Sequence, residues 1–279
     1  MTYIKNREEL TSHGYKRERE VTLDIIDYAL QVADPYRATK ELVHLDGRIL
    51  NVGQLRFNLS QRGNIYVFGM GKATFAIAKA LEEILSENIS GGIIIVKRGQ
   101  AGTLRRIKVR EASHPLPDRY GWRAAKELIR MAEATKEGDI AFCAITGGSS
   151  ALAPLPVPEI SLGDKRRVTE LLLRSGATIR EMNAVRKHLS SIKGRRMALA
   201  IFPAEIINLT VSDGTDGPTS IAGGIVDAST VTRARKQGHD IFAHLVHHDT
   251  SSILQKLSDA IVTGHTGTNV NDLKVMLVS

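Results

Sequence analysis

The chain has 279 residues, of which 42% are hydrophobic and 24% are charged, as in an ordinary globular protein with one large or two smaller domains. Its single cysteine, Cys143, excludes an internal disulfide framework and suits a reducing cytosol, so we expect a cytoplasmic protein. No apolar stretch approaches the roughly 20 residues of a membrane helix, and the first ten residues carry no apolar signal core, which predicts neither membrane insertion nor export.

The net charge of +8 is compatible with nucleic acid or with a polyanionic metabolite as the partner. Aromatic residues make up only 5% of the chain, and they do not alternate with basic residues. The basic residues are spread out, with small clusters such as Lys165-Arg166-Arg167. We therefore predict solvated helix faces for most of these charges and no nucleic-acid partner.

The first half of the chain contains one clear strand–turn–helix unit. A helix is predicted over Val21–Val32 from apolar residues at helical spacing, and Asp34-Pro35 ends it. Leu42–Leu50 is mixed and favours no single structure. Ile65–Phe68 then reads as a buried strand, and after a glycine turn Ala73–Leu85 reads as an apolar-striped helix.

The rest of the chain continues the alternation of strands and helices. Further strands are predicted at Ile93–Val96, Ile107–Val109, Ile140–Ile145 and Ile206–Val211. We interpret Gly91-Gly92 as a break before the first of these strands. Further helices are predicted at Arg119–Ala134 with Asp118 as N-cap, Ser161–Ser175 with a capping box, Ile179–Leu189, Arg195–Ala200, Thr230–Lys236 and Ser251–Leu257. This order predicts an α/β fold with a mainly parallel sheet flanked by helices on both faces.

Two glycine turns follow two of the predicted strands. Gly69-Met70-Gly71-Lys72 opens one helix, and Thr146-Gly147-Gly148-Ser149-Ser150 follows the apolar run that ends at Ile145. Glycines let backbone amides approach an anion, and Lys72 adds a mobile positive charge. Because the carboxyl ends of parallel strands share one sheet edge, the two turns predict a joint anion site. The alternative is a pair of structural turns with a solvent-exposed lysine.

The turn at Gly69–Lys72 matches neither of two familiar nucleotide motifs. Ala73 stands where a P-loop requires serine or threonine, and no glycine lies five residues before Gly71. Thr74 stands where the dinucleotide fingerprint has its third glycine. Phosphate binding at this turn is therefore a hypothesis without a motif to support it.

Other candidates carry weaker signals. His114 ends a predicted strand and is a candidate general base or hydrogen-bond donor, against a merely rigid strand exit. Asn183, Arg186 and Lys193 lie in a basic segment that is suited to phosphate, against an ordinary solvated helix face.

Asp213 and Asp216 follow the strand at Ile206–Val211. They are candidates for a base or for ligands of Mg²⁺, which binds one or two carboxylates together with phosphate oxygens. Asx turns are the alternative for both residues.

Six strings of the sequence resemble the glycerate 2-kinase family, whose members are often labelled hydroxypyruvate reductases and end in a part called the MOFRL domain. These strings are GMGKA at 69–73, HPLPD at 114–118, ITGGSSAL at 145–152, NAVRKHLSSIKGRR at 183–196, DGTDGPTSIAGGIVDAST at 213–230 and TGHTGTNVNDLKVMLV at 263–278. In the glycine-serine turn, Ser149 departs from a usual third glycine.

The resemblance implies ATP-dependent phosphorylation of D-glycerate at its 2-hydroxyl, with Mg²⁺. It implies that Lys72 stabilises the transferring phosphoryl group and that residues 146–150 hold phosphate or the glycerate carboxylate. Asp213 would be the base or a metal-facing carboxylate, and Thr268 and Asn269 would contact substrate or phosphate. The expected partners are a small substrate and a nucleotide, with no membrane, and homo-oligomerisation stays open.

The chain also departs from the family in length. Family members are longer, and in them the strand resembling IINLTVSD precedes a linker and a half-domain with GGET-type and GGRNQE-type segments. Neither string occurs here, and DGTDGPT follows Val211-Ser212 directly. We interpret this as an internal deletion near Ser212–Gly214, which leaves a first domain at 1–212 and a shortened MOFRL-like domain at 213–279.

The deletion predicts weak or absent kinase activity, because the arginine of the missing half has no counterpart. Two rival functions stay open. One is a hydroxypyruvate reductase, which the absent glycine at Thr74 disfavours. The other is a non-catalytic ligand-binding or oligomerising protein.

Overall fold

The computed structural model describes residues 3–211, 222–246, 249–263 and 275–277. By packing, the chain divides into two compact units. The sheet unit is Pro35–Ser212, and the terminal unit combines Met1–Asp34 with Asp213–Ser279. This division differs from the predicted domains in the place of residues 1–34. As a statement about the domains of the family, the boundary at residue 212 stays a prediction.

The strands of the described residues are mostly short, and the longest has nine residues. They are β1 (Val43–Asp46), β2 (Ile49–Val52), β3 (Leu55–Asn58), β4 (Ile65–Met70), β5 (Ile89–Lys97), β6 (Lys108–Ala112), β7 (Ile140–Thr146), β8 (Glu205–Val211), β9 (Gly223–Gly224) and β10 (Ala260–Ile261).

The α-helices of the same ranges flank these strands in the chain. They are α1 (Arg7–Thr11), α2 (Lys16–Val32), α3 (Pro35–Leu42), α4 (Thr74–Leu85), α5 (Arg119–Ala132), α6 (Ser149–Leu152), α7 (Leu162–Arg174), α8 (Ile179–His188), α9 (Arg196–Ile201), α10 (Thr230–Lys236), α11 (Ile241–Val246) and α12 (Thr250–Lys256). None of the helices in the described ranges combines the length and apolar character of a membrane span.

Five parallel strands form the central sheet of the sheet unit in the order β6-β5-β4-β7-β8. Along the chain, β5 and β6 are therefore added on one side of β4, up to one edge of the sheet. β7 then pairs with the other side of β4, and β8 forms the opposite edge. This arrangement confirms the predicted α/β fold with a mainly parallel sheet. It also places a topological switch point between β4 and β7.

The central sheet is buried on both faces. Ile93 and Ile95 of β5 join the core that contains Ala124 of α5, whereas Ile94 and Val96 join the core on the opposite face. Strands covered on both faces are read in sequence as continuous apolar runs, which explains why β4, β5 and β7 were predictable.

Most predicted elements of the sheet unit are confirmed, with shifted ends. Asp118 caps α5, since its carboxylate accepts a 2.8 Å hydrogen bond from the Gly121 amide. The capping box of Ser161 and Asp164 at the start of α7 is present as predicted. The break interpreted at Gly91-Gly92 is wrong, because β5 begins at Ile89 and runs through it. A Cβ atom at Gly92 would lie 2.3 Å from the Val67 carbonyl oxygen of β4.

An antiparallel sheet, β1-β2-β3, fills the segment that favoured no structure in the sequence. Gly47 and Gly53 have positive φ in the two tight connections. The inner residues Val43, Leu50 and Phe57 join the same core as Val67. The Asp46-Gly47 dipeptide between two short alternating runs is the hairpin signal that was missed.

In the terminal unit, α2 is held to the C-terminal part of the chain by buried ion pairs. Arg19, which is 2% exposed, contacts Asp227 at 2.7 Å and Asp259 at 2.8 Å. Arg233 of α10 pairs with the same Asp259 at 2.7 Å, and His13 Nε2 lies 3.0 Å from it. Burial alone would raise the pKa of Asp227, but hydrogen bonds from Ser229 and Arg19 hold that pKa well below its usual range. The two ends of the chain therefore stabilise one another.

Candidate functional site

The two glycine turns lie side by side at the switch point of the central sheet. β4 and β7 are parallel neighbours, and Met70 pairs with Ile145 at their carboxyl ends. The turn at Gly69–Lys72 and the turn at Thr146–Ser150 therefore leave the sheet at the same edge. In open α/β sheets this crevice is where ligands bind.

Backbone and hydroxyl hydrogen bonds join the two turns. The Lys72 amide donates to the Gly147 carbonyl at 2.9 Å, and the Ala73 amide donates to Thr146 Oγ1 at 3.1 Å. Thr74 Oγ1 donates to the Ala144 carbonyl at 3.2 Å. The Thr74 position that breaks the dinucleotide fingerprint thus ties α4 to β7. The sequence did not indicate that role.

The close approach of the turns requires glycine at residues 69 and 71. Gly71 has φ +138°, and a Cβ atom there would lie 2.0 Å from Thr146 Oγ1. A Cβ atom at Gly69 would lie 2.5 Å from Thr74 Cγ2 and 2.9 Å from the Ala144 carbonyl oxygen. Both glycines therefore serve the packing of one turn against the other.

The side chains of Lys72 and His114 both lie next to Gly148. Gly148 has φ +84°, and a Cβ atom there would lie 3.0 Å from His114 Cδ2 and 3.3 Å from Lys72 Cε. Burial lowers the pKa of His114 to about 4, and the positive charges of Lys72, Lys97 and Arg186 add to the effect. His114 is therefore neutral at physiological pH and suits a hydrogen-bonding role more than an ionic one.

The basic segment after α8 reaches the second turn from another direction. The Lys193 ammonium donates a hydrogen bond to the Ser150 hydroxyl of α6. Burial, followed by the positive charge of Arg186, lowers the pKa of Lys193 to about 8. Burial also lowers the pKa of Arg186. Arg186 and Lys193 are half-buried, whereas Asn183 of α8 is exposed as the alternative of a solvated helix face would have it.

One residue of this region was misread in the sequence. Lys165, assigned there to a solvated helix face, is only 6% exposed, and its amine donates to the Leu155 carbonyl at 3.3 Å. Burial and the charges of Lys193 and Arg186 lower its pKa to about 8. No periodicity argument could find it, because its burial depends on the loop at 153–158.

Positive charge therefore dominates this edge of the sheet. Within the described residues, no ion pair joins a carboxylate to Lys165, Arg186 or Lys193. Cations that repel one another and lower one another's pKa are arranged to receive an anion.

Four predicted site residues lie outside the described residues, namely Asp213, Asp216, Thr268 and Asn269. Within the described ranges, no group of three or more histidine, cysteine, aspartate and glutamate residues is placed to hold a metal ion. The Cys143 side chain is buried in the core, and this burial raises the pKa of its thiol to about 12.

Fold and site together define the class of protein. A doubly wound sheet with paired glycine turns and a cationic cluster at its switch point is typical of an α/β protein that binds an anionic ligand. A solved structure, glycerate kinase from Thermotoga maritima, shares the fold with a TM-score of 0.72 at 22% identity, covering 90% of this chain and 97% of that one.

The family follows from the sequence comparison. The model of the domain of unknown function DUF4147 matches residues 21–255, and the chain belongs to this family. The glycerate 2-kinase of Pyrococcus horikoshii is 40% identical over 222 residues, which cover 78% of this chain and 49% of the relative.

A second relative carries the other name that is found in the family. A protein of Agrobacterium vitis with a provisional hydroxypyruvate reductase name is 38% identical over 219 residues, covering 77% of this chain and 46% of the relative. The chain thus spans about half of the length of the curated relatives it matches.

Proposed function

We propose that the chain is a glycerate 2-kinase, which transfers the terminal phosphoryl group of ATP to the 2-hydroxyl of D-glycerate. One observation carries the proposal: the cationic pair of glycine turns at the switch point of a DUF4147 fold. Kinase-named relatives support it. The reductase names support the rival less, because Thr74 Oγ1 bonds to the Ala144 carbonyl where the dinucleotide fingerprint needs glycine.

Phosphoryl transfer depends on positioning and on neutralising charge, and the site offers both. Lys72 would stabilise the transferring group from one side. The amides of Gly148 and the residues after it, with the Ser149 and Ser150 hydroxyls, would hold phosphate oxygens on the other. Neutral His114 would hold an oxygen by a hydrogen bond without adding charge.

When bound, Mg²⁺ would supply neutralisation of the charge that develops on the transferring phosphoryl group. Asp213 is the proposed carboxylate for this ion or for the substrate proton. Asp216, Thr268 and Asn269 complete the proposed contacts. A cytoplasmic location belongs to the same proposal.

The half-length match to the relatives bears on how active the chain is. An internal deletion near Ser212–Gly214 would remove the arginine-bearing part of the second domain. It would then lower turnover while leaving the turns of the sheet unit in place. The oligomeric state stays open, since a partner subunit could complete the shortened part.

Turnover with ATP, Mg²⁺ and D-glycerate tests the proposal, with the product identified by phosphorus NMR. We expect 2-phosphoglycerate at a low rate, and a loss of about 100-fold or more in the Lys72→Met variant, as for removal of a charge-stabilising group. A parallel incubation with hydroxypyruvate and a reduced nicotinamide cofactor tests the reductase. Formation of glycerate there, with no phosphorylated product in the first assay, would reverse the assignment.

A further inference from the structure

A buried lysine that no motif accounts for lies beside the second glycine turn. Lys165 of α7 is 6% exposed, and the one described hydrogen bond of its ammonium group goes to the Leu155 carbonyl at 3.3 Å. That carbonyl also accepts a 2.9 Å bond from the Ser191 amide. The buried ammonium group has lost most of its hydrating water and has gained one hydrogen bond, to a neutral acceptor that it shares. Burying a charge in this way costs free energy unless a ligand supplies further hydrogen bonds or an opposite charge.

The loops around Lys165 bring a second lysine to the same place. Ser191 Oγ donates to the Pro156 carbonyl at 2.9 Å, and Pro156 forms an isolated β-bridge with Ser190. These contacts fix the segment that leads to Lys193, whose ammonium bonds to Ser150 Oγ. The Leu155 carbonyl, which accepts from both the Lys165 ammonium and the Ser191 amide, therefore places Lys165 beside the segment that carries Lys193, and the two lysine charges interact.

This pair is distinct from the contacts around Lys72. Lys72 lies with His114 over Gly148, two residues before Ser150. Arg186 is close enough to both groups to lower the pKa of His114 on one side and of Lys165 and Lys193 on the other. Arg186 therefore interacts electrostatically with residues of both groups. A reaction between two anionic reactants needs two such groups.

We propose that Lys165, Lys193 and the Ser150 hydroxyl form a carboxylate subsite for a small 2-hydroxy acid, while the turn at Lys72 takes the nucleotide phosphates. A carboxylate has two oxygens and could pair with one ammonium group at each, and the hydroxyl adds a donor. The identity of the acid rests on the proposed function. The subsite itself rests on the burial of Lys165 and on the Leu155 carbonyl that links it to the segment of Lys193.

Calorimetric titration of the full chain with D-glycerate and with a non-hydrolysable ATP analogue tests the division. The Lys165→Met variant should bind D-glycerate at least about tenfold more weakly, as expected for the loss of a hydrogen bond to a charged group. Its affinity for the ATP analogue should stay within about threefold of the wild type. Arg166→Met, which removes an exposed charge from the next position of α7, is the control and should change neither affinity.

Equal affinities for D-glycerate in Lys165→Met and the wild type would overturn the subsite. So would an equal loss for both ligands in a variant whose unfolding temperature matches the wild type. If Lys165→Met fails to fold, Lys193→Met gives the same comparison from the other side of Ser150.

Acetate separates this inference from the proposed function. NMR of lysine labelled at the ε-carbon should show acetate shifting the Lys165 and Lys193 signals, but not the signal of exposed Lys136. If acetate shifts them and D-glycerate does not bind, the subsite stands and the kinase assignment fails. If neither compound shifts them, the subsite is wrong.

Discussion

Gly148 shows how a single missing side chain serves the site. Gly148 and Gly99 share nearly the same backbone, with φ of +84° and +81°. A Cβ atom at Gly99 would meet nothing within 4 Å, whereas one at Gly148 would crowd His114 and Lys72. Alanine substitutions at the two positions therefore share the backbone strain, and only the substitution at Gly148 adds crowding at the site.

We predict that Gly148→Ala and Gly99→Ala each lower the free energy of unfolding by about 1–2 kcal/mol, the cost of a left-handed alanine. Only Gly148→Ala should also weaken binding of an ATP analogue, by about tenfold, a loss equivalent to about 1.4 kcal/mol. Urea unfolding and calorimetric titration of both variants measure the two effects. Equal binding in the two variants would show that the space over Gly148 is not used by the ligand.

The lowered lysine pKa values predict how anion binding depends on pH. Lys165 and Lys193 carry their charge below about pH 8 and lose it above, and a bound anion raises both pKa values again. Affinity for D-glycerate should therefore be constant from pH 6.5 to 7.5 and fall by up to about tenfold per pH unit per lysine above pH 8. Calorimetry in two buffers of different ionisation enthalpy should show proton uptake on binding at pH 8.5. A flat affinity from pH 7 to pH 9.5 would contradict the account.

The low pKa of His114 predicts how the stability of the free protein depends on pH. Its folded pKa is about 4, below the roughly 6.5 of an unfolded histidine, so the unfolded chain binds more protons between these values. The free energy of unfolding should therefore rise with pH from about 4 to 6.5, and a His114→Gln variant should show a shallower rise. Urea unfolding at pH 4.5, 5.5 and 6.5 makes the comparison, and parallel curves for the two proteins would show that His114 is not buried as a neutral group.

Among the elements, α2 has an unexpected place. The sequence indicated a helix there, but nothing in its spacing indicated that Arg19 would be buried against Asp227 and Asp259. Such pairing joins residues more than 200 positions apart, and only the assembled fold brings them together. The family string that contains Asp227 is therefore structural at that residue, whatever its neighbours do.

We predict that Arg19→Met lowers the free energy of unfolding of the terminal unit by about 3–5 kcal/mol, because it removes the buried arginine that pairs with Asp227 and one of the two arginines that pair with Asp259. Arg17→Met, on an exposed position of the same helix, should change it by less than about 0.5 kcal/mol. Hydrogen exchange of the α2 amides compares the two variants locally. Similar protection of α2 in both would show that the ion pairs do not hold the helix.

The elements also show why some of the structure was predictable and some was not. β4, β5 and β7 are covered on both faces, so each contains an apolar run that could be recognised in the sequence. The glycine turns after β4 and β7 could be recognised because each of them ends such a run. β1, β2 and β3 are short and alternate, and their sheet was missed although Asp46-Gly47 marks its first turn. The burial of Lys165 depends on the loop at 153–158, which no local pattern describes.

At the scale of the whole molecule, the order of the strands in the sheet brings the two glycine turns together at one candidate site. Sequence reasoning placed both turns at a sheet edge but could not tell whether β4 and β7 were neighbours. Their direct pairing, with the Lys72 amide bonded to the Gly147 carbonyl, is what joins the turns. The chain spans about half of the length of the curated relatives it matches.

The central claim is that the Lys72 turn at the switch point binds the phosphates of a nucleotide. Titration of the full chain with an ATP analogue measures it directly, in the wild type, in Lys72→Met and in Lys136→Met, whose exposed lysine precedes the amino end of β7. The account predicts saturable binding to the wild type, unchanged binding to Lys136→Met, and an affinity at least about tenfold lower in Lys72→Met. Equal affinity in all three proteins, or no binding to the wild type, would contradict it.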